Sequence, residues 1–197
     1  MKNLKSVENF LNSFGKQVVT DAKGFLQKAK GQTKLANTIY FNLKEAGDYF
    51  IVEFSMADYG TFVDKGVRGA GGKFPDTSKY AGSWGGKRFY RTYKGRKKQS
   101  PYKFGTGTGE KGGLTKALSK WIKRKGIRGR SAKTGRFITD KSLVRLMARA
   151  IYIRGIHGIS FFQRALERGF AKSRFSKGML KAIKQDIIDN LTQKSLI

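Results

Sequence analysis

A basic, glycine-rich stretch in the middle of the chain, residues 61–140, sets the strongest limit on the fold of this sequence. It holds 22 of the 42 Lys and Arg residues against four acids, and 16 of the 25 glycines. Glycine loses more conformational freedom on folding than any other residue, and like charges repel one another. The stretch cannot build a dense core alone, so its order has to come from the rest of the chain or from a partner.

The two flanking segments carry less charge and more apolar sequence. Residues 1–60 have 8 Lys and 6 acids, and residues 141–197 have 12 Lys plus Arg and 3 acids. At 197 residues the chain suits one domain with an elaboration. A hydrophobic fraction of 39%, with fifteen Phe and eight Tyr, is sufficient for a core.

The formal charge of +29 favours a polyanionic partner, such as nucleic acid, anionic lipid or an acidic protein face. The chain has no cysteine, which excludes disulfides and thiolate metal sites. Its N-terminus lacks the apolar core of a signal peptide, and no run approaches the roughly 18 apolar residues of a membrane span. We therefore expect a cytosolic origin and no membrane partner.

Helical spacing of apolar residues predicts helices over 7–29, 114–125, 140–154, 161–170 and 176–191. The predicted N-caps and ends are, in chain order, Ser6, Gly31, Gly126, Asp140, Gly155 and Ser176. Gly15 and Gly24 each weaken the first helix by about 1 kcal/mol relative to Ala.

Period-2 alternation over 38–43 and 49–56, around a glycine-containing turn at 44–48, predicts an antiparallel hairpin. An isolated hairpin is marginal in water, so this one needs more strands or a helix across its face. The expected fold class is α+β: a small antiparallel sheet packed by amphipathic helices, with a long basic, glycine-rich insertion.

Residues that could carry chemistry are few. Gly107–Gly112 matches the pattern G-x-G-x-x-G, but no hydrophobic strand leads into it and no acid follows about 20 residues on. His157, the only histidine, falls in a predicted turn at 156–158 and lacks metal-ligating neighbours. The 13 acids are scattered, whereas a two-metal nuclease needs several that converge. We expect no enzyme activity, no cofactor and no metal.

The cations of the middle and of the helix after it are the predicted contacts for nucleic acid or another polyanion. They are Lys87, Arg88, Arg91, Lys94, Arg96, Lys97, Lys98, Lys123, Arg124, Lys125, Arg128, Arg130 and Arg136. Interleaved aromatics could stack on bases or fill a subunit interface. The middle could be an extended hairpin with 88–93 as one strand, or a loop that orders on a partner. No helix-turn-helix, RRM or KH signature is present, so sequence-specific readout is not expected.

Two short motifs carry a family resemblance. Tyr59-Gly60-Thr61-Phe62-Val63-Asp64-Lys65-Gly66 follows the hairpin, and Ser160-Phe161-Phe162-Gln163-Arg164-Ala165-Leu166 precedes the final helix. In these motifs and in the order of its parts, the chain resembles the tail-completion (head–tail connector) proteins of tailed bacteriophages. Their corresponding motifs are Tyr-Ala-x-Tyr/Phe-Val-Glu-x-Gly-Thr and Pro-Phe-Leu/Phe-x-x-Ala. Here Gly60 replaces the Ala, Asp64 the Glu and Ser160 the Pro.

The resemblance implies one domain over 1–197, with a basic insertion at about 66–138. It further implies a homo-oligomeric ring in the virion neck, assembled in the bacterial cytoplasm, that binds other connector, portal or tail proteins around double-stranded DNA. The expected assembly and core anchors are Tyr59, Phe62, Val63, Phe161 and Phe162. The residues alone leave an alternative: a nucleic-acid-binding protein without sequence specificity, ribosome-associated or nucleoid-like.

Overall fold

The computed structural model describes residues 4–47, 49–71, 73–74, 82–83, 88–106, 112–171 and 174–194. Its helices are α1 (Lys5–Lys30), α2 (Lys34–Asn37), α3 (Tyr59–Lys65), α4 (Gly113–Lys125), α5 (Asp140–Arg154), α6 (Phe161–Gly169) and α7 (Arg174–Lys194). Its strands are β1 (Tyr40–Ala46), β2 (Tyr49–Ser55), β3 (Gly66–Arg68), β4 (Lys73–Phe74), β5 (Gly82–Ser83), β6 (Phe89–Arg91), β7 (Lys97–Gln99) and β8 (Gly155–His157).

The chain divides into two compact units. The first contains residues 1–64, 90–98 and 159–197, and the second contains residues 65–89 and 99–158. The first unit has 21 Lys plus Arg against 10 acids, and the second has 21 against 3, so their net charges are +11 and +18. Most of the predicted insertion falls in the second unit. The prediction of one domain over 1–197 stays a prediction.

In the first unit, α1 packs against α6, α7 and the β1–β2 hairpin. The buried residues of α1 recur at helical spacing, which confirms the predicted amphipathic helix. The main core of this unit comprises Phe14, Val18, Ala22, Leu26, Leu35, Ile39, Phe161 and Ala165.

The start of α1 differs from the prediction, because Ser6 lies inside the helix and does not cap it. The buried carboxylate of Asp186, from α7, accepts hydrogen bonds from the amides of Ser6 at 2.7 Å and Val7 at 2.9 Å. Burial by itself would raise the pKa of Asp186, but these amide hydrogen bonds outweigh it and lower the pKa below its ordinary value. A residue 180 positions away therefore caps this helix.

The predicted hairpin is confirmed, but the predicted turn at 44–48 is too long, because residues 44–46 belong to β1. β1 pairs with β2 in antiparallel register, from Tyr40 opposite Ser55 to Ala46 opposite Tyr49. The side chains alternate between half-buried and exposed, with the half-buried face toward α1. Amphipathic helices on two-stranded antiparallel sheets confirm the α+β class.

The second unit has its own small core between α4 and α5, formed by Leu118, Ile122, Val144 and Ala148. The predicted helix ends at Gly126 and Gly155 are confirmed. The predicted cap of α5 is wrong by one residue: the hydroxyl of Thr139 accepts the Ser142 amide at 3.2 Å, and Asp140 is the first helical residue. In the first unit, Ser176 likewise lies within α7.

The predicted turn at 156–158 is wrong, since Gly155–His157 forms β8. It pairs antiparallel with β3, with Gly66 opposite His157 and Arg68 opposite Gly155. A three-residue strand is too short to show alternation, and its partner lies about ninety positions away. The chain around it therefore gives no local signal of the pairing.

Within the basic middle, the predicted strand over 88–93 corresponds to β6, which pairs with β7. The Thr92 amide donates to the Arg96 carbonyl at 2.8 Å and closes the connecting turn. Of the Gly107–Gly112 match, residues 107–111 lie outside the described residues. Across the described ranges, no helix combines the length and the hydropathy needed to cross a membrane.

Candidate polyanion cleft and assembly surfaces

The two motifs of the family resemblance meet in the first unit. A carboxylate oxygen of the buried Asp64 accepts the amide of Phe162 at 2.8 Å, which places a negative charge at the N-terminus of α6. The Asp64 carbonyl accepts the Ser160 amide at 2.9 Å, and the Val63 carbonyl accepts the Ile159 amide at 3.1 Å. A side-chain cap and two backbone hydrogen bonds thus join α3 to the start of α6.

Ser160 explains one departure from the family motif. Its φ is +53°, in the left-handed region, and its hydroxyl accepts the Arg91 amide at 2.8 Å. Proline is fixed near φ −65° and has no N–H to donate, so it could neither adopt this backbone conformation nor bond to Asp64. The chain here requires a residue other than the proline of the family motif.

Three of the five predicted anchors pack in the core. Phe161 is fully buried, and Val63 and Phe162 pack against the same core. The Phe162 ring meets Phe54 edge-on, with the ring centroids 5.6 Å apart. Tyr59 and Phe62 are nearly half exposed, so the structure does not place them in the core. A role for these two in assembly stays a prediction.

The predicted cations of the β6–β7 hairpin differ in their surroundings. Arg91 pairs with Glu167 at 2.6 Å, and the Lys94 ammonium lies 5.6 Å from the centre of the Tyr93 ring. Exposed positions on the turn and on β7 carry Arg96, Lys97 and Lys98. Arg91 therefore contributes to the fold, while the turn and β7 present charge to solvent.

The other predicted cations belong to the second unit. The Arg88 guanidinium donates to the Arg154 carbonyl at 2.9 Å and is half-buried, while Lys87 lies outside the described residues. The Arg130 guanidinium covers the Phe137 ring at 4.4 Å. The remaining exposed members are Lys123, Arg124, Lys125, Arg128 and Arg136.

The structure also assembles a lysine cleft between α4 and α5. Lys116, Lys120 and Lys123 recur at helical spacing on one side of α4, and Lys141, from the first turn of α5, lines the same open cleft. Thr115 and Ser119 add hydroxyls. Flexible ammonium groups and hydroxyls are the usual partners of phosphate oxygens, so this cleft could bind a phosphate backbone.

Of the lysines in this cleft, only Lys123 is among the contacts predicted from the sequence. The i, i+4, i+7 spacing of Lys116, Lys120 and Lys123 in the sequence already indicates that these lysines share one face of α4. Lys141 gave no such signal, because only the packing of α5 on α4 brings it there. One acid, Asp140, lines the cleft with them.

The first unit exposes apolar side chains on two elements. The inward side of α7 is formed by Phe175, Met179, Ala182, Asp186 and Asn190. Its outward side carries Leu180, Ile183, Ile187 and Leu191 at helical spacing, with Leu180 68% exposed. The outer face of the β1–β2 hairpin carries Tyr40, Tyr49 and Ile51, with Tyr49 63% exposed.

The described residues offer no cluster of side chains that could hold a metal ion, since nowhere among them do three His, Asp or Glu side chains come together. His157 is exposed at the end of β8. The expectation that the protein is not an enzyme stays a prediction.

The chain was compared with protein-family models, with curated proteins and with solved structures, and none of the three comparisons gives a match.

Proposed function

We propose that this protein is a structural subunit of a bacteriophage virion, forming a ring at the head–tail connector that joins portal-side and tail proteins around the DNA channel. One observation carries the proposal: the two motifs on which the resemblance rests, 98 positions apart, are joined by the hydrogen bond from Phe162 to Asp64. Short motifs that match by chance have no reason to meet in one buried junction.

The surfaces of the two units are consistent with this role. Exposed apolar rows on α7 and on the hairpin suit subunit contacts, because monomeric proteins rarely expose contiguous apolar surface. The second unit, at +18, suits a position beside packaged DNA, where phosphate charge offsets its self-repulsion. Copies joined by contacts that close on themselves would form the ring.

Purified protein tests the proposal through its assembly state. Light scattering and negative-stain microscopy, at low and high salt, should reveal closed rings of uniform size. Because apolar contacts strengthen with salt while phosphate contacts weaken, rings held by protein contacts should persist at high salt. Strictly monomeric protein under all conditions, and its absence from virions of the parent phage, would overturn the proposal.

The lysine cleft of the second unit favours a second candidate, a nucleic-acid-binding protein without sequence specificity. In that case the monomer binds duplexes of unrelated sequence with equal affinity, and binding weakens steeply as salt rises. A salt-sensitive complex of monomers with nucleic acid, without rings at any salt concentration, would favour this candidate over the connector.

A further inference from the structure

We infer that the second unit binds an unpaired nucleic-acid strand, whose phosphates lie along the lysine cleft and one of whose bases stacks on the ring of Phe137. This inference goes beyond the proposed function, because it adds a contact to a base, whereas the lysine cleft by itself accounts only for contacts to phosphate. It does not depend on ring formation, since every residue in it belongs to the second unit.

The charge of the sequence around Phe137 selects a polyanion. Residues 111–139 contain ten Lys plus Arg and no acid. The segment between α4 and α5, residues 128–138, is here called the basic turn, and its cations are all exposed: Arg128, Arg130, Lys133 and Arg136. A surface with this excess of one sign attracts phosphate and gains little from an uncharged partner.

Hydrogen bonds within the basic turn fix the position of Phe137. The Ser131 amide donates to the Arg136 carbonyl at 2.8 Å. Arg130 and Phe137 pair across the turn in antiparallel orientation. The ring is therefore placed before a ligand arrives, which lowers the entropic cost of binding.

The surroundings of the Phe137 ring suit a nucleobase. The Arg130 guanidinium lies over the ring, 4.4 Å from its centre, and Phe137 is still 59% exposed. The guanidinium covers one face, so the rest of the ring is open to solvent. Nucleobases stack on aromatic rings and on guanidinium planes, and the Arg130–Phe137 pair offers both.

The ring lies next to the lysine cleft. Asp140, at the start of α5, lines the lysine cleft and also a second cleft of about 300 Å³, which Arg128, Phe137 and Thr139 line with it. A strand can therefore run from the lysines of α4 to Phe137 through two adjoining clefts. The carboxylate of Asp140 lies on this path and opposes a phosphate there.

Base stacking selects an unpaired strand over a duplex. In a duplex each base already stacks on its neighbours, so a ring on the protein surface reaches the face of a base only by separating them, which costs free energy. An unpaired strand presents its bases without that cost. The cations alone would attract either form of nucleic acid, and the exposed Phe137 ring distinguishes the two.

The shape of the site favours a strand over an anionic membrane. Peripheral proteins bind a bilayer through broad faces that combine a large apolar area with basic side chains. Here the ammonium groups and hydroxyls line clefts, and Phe137 is the large apolar side chain exposed on the basic turn. A narrow, flexible polyanion can enter such clefts, whereas a bilayer surface cannot.

Fluorescence anisotropy of the full chain with a short labelled thymidine oligomer tests the base contact. An abasic strand of the same length carries the same phosphates without bases. The wild type should bind the thymidine strand at least about 5-fold more tightly than the abasic strand. Phe137→Leu should remove most of this difference by weakening binding to the thymidine strand, and its binding to the abasic strand should not change.

Two further variants control for effects on the fold. Phe137→Tyr keeps an aromatic ring and should retain most of the difference between the two strands. Tyr152→Leu removes a ring that is 44% exposed near the other end of α5, and it should bind like the wild type. If Phe137→Leu weakens both strands equally or neither, or if Phe137→Tyr behaves like Phe137→Leu, the inference is wrong.

Asp140→Asn tests whether the strand passes between the two clefts. Loss of the carboxylate should strengthen binding of the thymidine and abasic strands alike, by about 2- to 5-fold at low salt and by less as salt rises. Asp189→Asn makes the same change in net charge at an exposed site on α7 and should have a smaller effect. Equal effects of the two variants would count against the proposed path.

Other ligands separate the possible partners. A uridine oligomer should bind through the same ring, since RNA and DNA share the phosphate backbone and the flat base. Binding of a blunt duplex should be unchanged by Phe137→Leu, and an equal loss on duplex and strand would contradict base stacking. Vesicles of phosphatidylserine that bind more tightly than the thymidine strand, and lose affinity in Phe137→Leu, would overturn the inference in favour of a membrane.

Discussion

The carboxylate of Asp64 accepts a hydrogen bond from the backbone amide of Phe162, 2.8 Å away and 98 positions later in the chain. The whole second unit, residues 65–89 and 99–158, lies in sequence between these two residues. The bond ties the point where the chain first leaves the first unit to the point where it finally returns to it. The stability of the first unit therefore depends on a carboxylate that the motif alone would present as an ordinary surface acid.

Replacing this carboxylate should destabilise the protein. Asp64→Ala removes the cap of α6 and leaves the Phe162 amide without its acceptor, so we expect a loss of about 2 kcal/mol in the free energy of unfolding. Asp64→Asn keeps an acceptor oxygen and should lose less. Urea denaturation followed by circular dichroism measures both. Asp58→Ala, at an exposed site in the same segment, is the control and should have a smaller effect; equal losses at the two sites would contradict the assigned role.

Restoring the proline of the family motif should be harmful here. Ser160→Pro forces φ from +53° to about −65° and removes the N–H that bonds to Asp64, so we expect a loss of about 3 kcal/mol or more. Ser160→Gly tolerates the left-handed backbone and loses only the acceptor for the Arg91 amide. Thermal unfolding should rank the wild type above Ser160→Gly and Ser160→Gly well above Ser160→Pro. A proline variant as stable as the wild type would show that the left-handed conformation is not required.

Asp186 should make stability depend on acid pH. Its folded-state pKa lies below its ordinary value, so the stability that it contributes is fully present above the unfolded-state pKa, near 4, and is lost as the pH falls through the folded-state pKa. Asp186→Asn should therefore cost about 1 kcal/mol at pH 7, and the difference from the wild type should shrink below about pH 4. Denaturant unfolding at a series of pH values measures this difference. Asp189→Asn, at an exposed site on the same helix, serves as the control. A difference in unfolding free energy between Asp186→Asn and the wild type that did not change with pH would contradict the capping role.

Two glycines of α1 should respond in opposite directions to alanine. A Cβ at Gly15 would clash with the Phe41 ring, while one at Gly24 would meet no atom within 4 Å. Gly24→Ala should raise the free energy of unfolding by about 0.5–1 kcal/mol through helix propensity. Gly15→Ala should lower it by about 1 kcal/mol, because overpacking against the hairpin outweighs the same gain. Similar effects at both sites, by thermal or chemical denaturation, would show that Phe41 moves aside freely.

Neutralising the lysine cleft should weaken binding to nucleic acid without regard to sequence. Changing Lys116, Lys120 and Lys123 to Gln should lower the slope of log affinity against log salt by about 1 for each phosphate that the cleft no longer neutralises. Fluorescence anisotropy with two unrelated duplexes measures the slope. The control variant changes Lys16, Lys28 and Lys30 of α1, all exposed, to Gln and has the same net charge. Equal slopes for the two variants would mean that net charge, and not the cleft, governs binding.

Elements with local signals could be predicted from the residues alone. Apolar spacing predicted α1, α4, α5, α6 and α7, and alternation around Gly47 predicted the β1–β2 hairpin, since each pattern spans enough residues to repeat. The α+β class followed from these elements. Gly126 and Gly155 marked two helix ends, because the left-handed region at such ends favours glycine.

Features that join residues distant in the chain could not be predicted, because they depend on how the helices and strands pack. Asp186 caps α1, Asp64 caps α6, and β8 pairs with β3, each across more than eighty positions. In the second unit, packing alone brings Lys141 of α5 to the lysines of α4. A buried carboxylate or a three-residue strand has no repeating neighbours to reveal its role, because its partner is fixed by the packing of helices and not by the adjacent chain.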